Sequence, residues 1–198
     1  MTAAKKLDLI SVEDYLEGEL TSPIKHEYVD GVVHAMAGAR NVHNDVAGNT
    51  FASLHGRLRG RMCRAYNSDT KIRIRMPPRY RFYYPGASVV CRRNDANDSF
   101  QDKPVVIAEV LSNGTRRTDA GEKKEAYLTI PSVGVYMLVE QNSPVVVVYR
   151  RKGRDFVREV YQGMDAVIPL PEIETELPLA EIYEDVEFVP EPDEGSNN

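Results

Sequence analysis

A chain of 198 residues with 42% hydrophobic and 28% charged residues can bury a sizeable core and is too apolar to stay disordered, so one domain over residues 1–188 is expected, with an acidic disordered tail at 189–198. A net charge of −5 argues against a basic nucleic-acid coat protein, and two cysteines, Cys63 and Cys91, are too few for a disulfide framework or a structural zinc site. The opening MTAAKKLDLI lacks the apolar run of a signal sequence and no later run approaches the roughly 20 residues that span a bilayer, so a cytoplasmic protein without a membrane partner is expected.

In chain order, Ser11 is placed to cap a short helix over 11–19. The Asp30-Gly31 pair between alternating segments in HEYVDGVVHAMAG predicts a hairpin with Glu27 on its first strand. Val42, Val46, Phe51, Leu54 and Leu58 keep a helical spacing, with Gly60 just past the end. In KIRIRM (71–76) strict alternation puts Lys71, Arg73 and Arg75 on one face of a half-buried strand. Residues 80–91 read as one buried strand entered through Pro85, and 92–103 as a surface loop. VVIAEVLS (105–112) is apolar on both faces apart from Glu109, the mark of a central strand. A helix from about Asp119 ends before Pro131, and 133–141, 144–151 and 155–163 read as strands, the last at an edge.

Two features invite a chemical reading. Between 57 and 81 lie nine Lys or Arg residues against the single acid Asp69, which would make either a local phosphate-attracting surface, through Lys71, Arg73 and Arg75, or a solvated face. Asp119, Lys123 and Tyr127 stand four apart, on one stripe of the helix that follows the strand bearing Glu109. A lysine facing a buried carboxylate is either a plain ion pair or part of a hydrolytic site, where it would stabilise charge developing on a phosphoryl group. No GxxxxGK[ST] or GxGxxG cradle is present, so nothing points to a bound nucleotide.

The set HEYVDGVV, the helix with His43 and Asn49, SDTKIRI, YYPxxSVVC, AEVLS, DxxxKxxxY and LPLAEIYEDV resembles the Uma-two family of putative restriction endonucleases, a branch of the PD-(D/E)XK nuclease superfamily, over roughly residues 10–188. The resemblance implies an α/β fold with a restriction-endonuclease-like core, a mixed central sheet flanked by helices, in a homodimer acting on DNA with Mg²⁺ or Mn²⁺. Carried over, it makes Glu109 a metal ligand, the Val110 carbonyl a further one, Lys123 the catalytic lysine and Glu27 a support for the metal or the water network. His43 also matches. In YYPGASVV, however, Gly86 stands where the family has its metal-binding aspartate, and glycine offers no side-chain oxygen to a hard cation. A weakened metal site is therefore expected, and with it either an endonuclease of reduced activity or a nuclease fold that binds DNA or a partner without cleaving. Asp69 or Glu27 swinging into the vacancy would be a rescue. Lys123→Ala is expected to abolish cleavage and leave the fold intact.

Overall fold

The computed structural model describes residues 9–112 and 114–188; the expected tail lies outside the described residues. Helix α1 (Val12–Thr21) starts where Ser11 accepts a hydrogen bond from the Asp14 amide, and it runs on past Gly18. Strands β1 (His26–Val29) and β2 (Val32–Ala35) form the expected hairpin, with Asp30 at φ 52° and Gly31 at φ 99°, the left-handed pair that a tight two-residue turn needs. Helix α2 (Asn41–Arg57) is followed by β3 (Arg64–Asn67), β4 (Lys71–Met76) and β5 (Arg79–Tyr83).

The stretch read as one strand over 80–91 is two. β5 belongs to a five-stranded sheet of order β2-β1-β5-β4-β7, whereas β6 (Ala87–Val90) belongs to a six-stranded sheet of order β11-β10-β9-β8-β6-β3. Tyr84-Pro85-Gly86 carries the chain between them. The polar loop after β6 contains a two-residue strand, β7 (Phe100–Gln101), parallel to β4. Then β8 (Pro104–Leu111) runs through the middle of the larger sheet, antiparallel to β6 and parallel to β9 (Val135–Glu140), as its apolar faces require. β10 (Val145–Lys152) and the edge strand β11 (Asp155–Gln162) complete that sheet.

The two sheets share one core. Ile72, Ile74 and Tyr83 from the smaller sheet meet Ile107, Leu111, Tyr136 and Leu138 from the larger one around Tyr127. Tyr15 of α1 covers the other face of the smaller sheet, against Tyr28, Phe82 and Phe100. On the far face of the larger sheet, α2 packs with a C-terminal unit absent from the sequence reading: the hairpin of β12 (Val167–Leu170) and β13 (Thr175–Pro178), and α5 (Leu179–Ile182).

Cys63 and Cys91, too few for a disulfide framework, form a single disulfide. The register explains it: Arg64 pairs with Val90 at the end of the β3–β6 ladder, so the next residue on each strand stands directly opposite.

Candidate active site

The helical segment after β8 is irregular. A turn, α3 (Arg116–Thr118), leads into one π-helical turn over Asp119–Lys123 and then into α4 (Lys124–Leu128). The π turn keeps Asp119 and Lys123 on the inward side, where both are buried, and Tyr127 follows them into the core. Such single turns recur at functional sites because the wider helix re-aims a side chain.

Glu109 lies on the face of β8 that looks into this region, since Ile107 and Leu111, two residues either side, line the same core. Lys123 Nζ thus sits among three carboxylates: 2.7 Å from Glu27 Oε1, 3.4 Å from Asp119 Oδ1 and 3.8 Å from Glu109 Oε1. Glu27 arrives on β1 from the other sheet, and pairs with Lys123 and not with its neighbours; Lys25 is taken by Asp69 and His26 by Glu19. Asp69 holds its own exposed turn, accepting from Asn67, so it does not fill the vacancy. Asp119, the third carboxylate, was visible in the sequence only as a stripe-mate of Lys123.

The electrostatics of this nest are unbalanced. Three carboxylates against one ammonium leave two negative charges uncompensated if all ionise, and Glu109 Oε1 and Asp119 Oδ1 are buried without a hydrogen bond. Burial, with the charges of Asp119 and Glu27 adding to it, pushes the Glu109 carboxyl up from 4.5 to about 8, against the opposing pull of Lys123 and the Gly86 amide. Burial alone would lower Lys123, but the surrounding carboxylates override it and hold the ammonium well above its usual range.

Gly86 is buried beside this nest, and its φ is not in the left-handed region. A Cβ there would stand 3.3 Å from the Ala108 carbonyl oxygen, 3.5 Å from Val110 Cγ2 and 3.7 Å from Ala47 Cβ of α2. No three His, Cys, Asp or Glu side chains among the described residues close round an ion. A magnesium-like ion, however, needs only one or two protein carboxylates, with water and phosphate oxygens supplying the rest. The buried oxygens of Glu109 and Asp119 that lack a hydrogen bond are hard donors of that class, so the residues fit an open site and not a closed cage.

The basic face of β4 differs from the expectation. Lys71 is buried at 4% exposure, its Nζ 3.1 Å from the Tyr84 hydroxyl and over the Tyr15 and Tyr84 rings, and burial lowers its pKa. Arg73 makes two 2.7 Å hydrogen bonds to Asp102 and stacks on Phe100. Neither is a free cation for a phosphate. Elsewhere in the 57–81 run, Arg57 pairs with Glu181 and Arg81 with Asp30 and Glu122. Arg75 donates to the same Asp102 at 3.3 Å but is 56% exposed, and it lines a pocket with exposed Arg92 and Lys103.

Sheet order and flanking helices define a restriction-endonuclease-like fold. A crystal structure of a putative nuclease belonging to DUF820 from Anabaena variabilis superposes with a TM-score of 0.67 at 19% identity, covering 85% of this chain and 96% of that one. The chain belongs to the Uma2 family, described as putative restriction endonuclease, whose model matches residues 12–180. It is similar to two uncharacterized proteins of Synechocystis sp.: slr1290, 32% identical over 79% of this chain and 82% of that protein, and sll1609, 28% identical over 81% and 92%. Among the described residues, no helix is long and apolar enough to cross a membrane.

Proposed function

We propose that the nest of Glu109, Lys123, Glu27 and Asp119 is a phosphodiester-hydrolysing site for DNA, assisted by a divalent cation that it binds weakly. The observation that supports this most is the surplus of buried carboxylate around a single lysine. A structural ion pair requires one acid, and burying two more, each with an oxygen that lacks a hydrogen bond, is costly unless a cation or proton completes them. A bound ion would polarise the phosphate and activate a water. Lys123 supplies a fixed ammonium to the charge that builds on the phosphoryl oxygens, and Glu27 aims it. Glu109 and Asp119 would hold the ion. A homodimer, which the family resemblance implies, is the proposed working form.

Relaxation of supercoiled plasmid in Mg²⁺ or Mn²⁺ tests this reading. Nicking is expected from the wild type, and Glu109→Gln is expected to reduce it on the order of 100-fold or more. Equal nicking by both proteins would sink the assignment. The missing oxygen at Gly86 supports a second reading, a nuclease fold that binds DNA without cleaving it; binding without nicking in either metal is its signature.

For the DNA contact, the exposed Arg92 and Lys103, with Arg75, which shares Asp102 with Arg73 but stays exposed, replace the buried Lys71 and Arg73 as the cations that would meet phosphates. Arg75→Glu with Lys103→Glu is expected to weaken binding to all sequences alike and to lower the log–log salt slope by about 2, near 0.9 per lost phosphate contact. Filter binding from 50 to 200 mM salt (roughly the range in which counterion release is steep) checks it, and an unchanged slope would retire the surface.

A further inference from the structure

The Cys63–Cys91 bond has no part in the hydrolytic reading, yet it stands where the larger sheet is held least. β3 is an edge strand of four residues, only Ala65 of them buried, and β6 is its one sheet partner among the described residues. On the other side of β6 the register with β8 shifts between Val89 and Val90, and Val90 then faces Pro104, which has no N–H to give. Cys91, the next residue, is therefore secured chiefly through its sulfur. Beyond it come Arg92 and Arg93, both exposed, and then a second anchor: the Asn94 amide donates to Gln101 Oε1 at 2.9 Å, and its side chain to Asp102 at 3.1 Å. The two arginines hang between the disulfide and Asn94, and Arg92 lines the pocket offered to phosphates.

The surroundings favour the open form of the bond. Both cysteines are partly exposed, and Cys91 shares a cavity wall with the exposed Arg61, Arg64 and Arg93. Asp95 and Asp98 oppose them there, whereas Glu19 and Asp69 of the same wall are taken by His26 and Lys25. Neighbouring cations stabilise a thiolate, which lowers the free energy of the reduced form and makes each sulfur a better leaving group in exchange.

We propose that the Cys63–Cys91 bond is a reversible redox site that sets the order of β3 and of the Arg92–Arg93 segment, and through Arg92 the grip on DNA phosphates. The second half rests on the DNA contact proposed for Arg92. An external dithiol is the co-reactant: its thiolate attacks one sulfur, the protein S–S bond breaks, and its second thiol closes the reductant's own disulfide. Two electrons and two protons pass to Cys63 and Cys91, which become thiols.

The wild type in its two redox states tests this without a variant. Millimolar dithiothreitol is expected to open the bond in the folded chain, read as alkylation of both cysteines, and oxidised glutathione to close it again. Amide hydrogen exchange should rise on reduction in residues 63–67 and 91–93 and stay unchanged in β8 and β9. Reduced protein is expected to bind duplex DNA about threefold to tenfold more weakly at roughly 100 mM salt, with a log–log salt slope smaller by about 0.9, the share of one phosphate contact. The double variant Cys63→Ser, Cys91→Ser should match the reduced wild type whether or not reductant is present. A bond that opens only in urea, exchange that stays the same in both segments, or equal DNA binding by the two states would overturn the proposal. DNA binding absent from both states would overturn the Arg92 contact and the second half with it, and the exchange data would then decide the first half alone.

Discussion

Replacing Lys123 by alanine is expected to destabilise the fold by about 3–5 kcal/mol at pH 8.5, the usual cost of leaving buried charge without its partner, and by much less at pH 5. Lys123 is the one cation among three carboxylates and is itself buried, so its loss does more than remove a catalytic group. This revises the expectation of an intact fold. The pH dependence follows from Glu109. Because its folded pKa is raised from 4.5 to about 8, the folded protein keeps a proton that the unfolded chain releases between those values. The associated stability is full below 4.5 and is lost as pH rises through 8. Without Lys123 the carboxylates need protons still more, so the variant should recover at low pH. Urea unfolding of both proteins at the two pH values measures the difference, and a small, pH-independent loss would show that the nest is less tightly coupled than its distances imply.

Gly86→Asp is expected to fold and to raise Mg²⁺ affinity on the order of tenfold or more, with faster plasmid nicking, because it returns a hard anionic oxygen beside Glu109. The backbone does not oppose the change, since Gly86 does not use a left-handed φ. Space does oppose it slightly: the 3.3 Å approach of a new Cβ to the Ala108 carbonyl requires β8 or the Tyr84–Gly86 link to move by a few tenths of an ångström. A stability cost of about 1–2 kcal/mol is the expected consequence of such overpacking. Circular dichroism and calorimetry with Mg²⁺ report the two effects separately. A folded variant with wild-type Mg²⁺ affinity would mean that the new carboxylate points away from Glu109.

Much of the framework was readable without the structure, where local signals were strong. Asp30-Gly31 set the first hairpin, the period of α2 set its length, and the two-sided apolar run around Glu109 set the central strand. The break at Gly86 was not readable, because Phe82 to Val90 is buried throughout and its alternation gives no hint of a change of sheet. The β12–β13 hairpin was missed because VIPL and TELP are short, contain proline and have little periodicity. The basic face of β4 looked open because its partners, Tyr84, Phe100 and Asp102, lie 13 to 29 residues away in sequence. Spacing brought Asp119 and Lys123 together, but that Glu27 joins them from the other sheet came only through the family resemblance, and that all three acids press on one lysine is a tertiary fact.

Proton release on metal binding tests most directly whether the nest is built to take a cation. Calorimetric titration of the wild-type chain with Mn²⁺ at pH 7, repeated in buffers of different ionisation enthalpy, reports the number of protons released per ion. Since the Glu109 carboxyl is pushed up to about 8, an ion bound there must displace its proton, and release of roughly one proton per ion is the predicted result. In Glu109→Gln the release should vanish together with most of the affinity. Binding that releases no proton and is unaffected by Glu109→Gln, or no binding up to several millimolar (roughly the weak end of functional divalent-cation sites), would contradict the account.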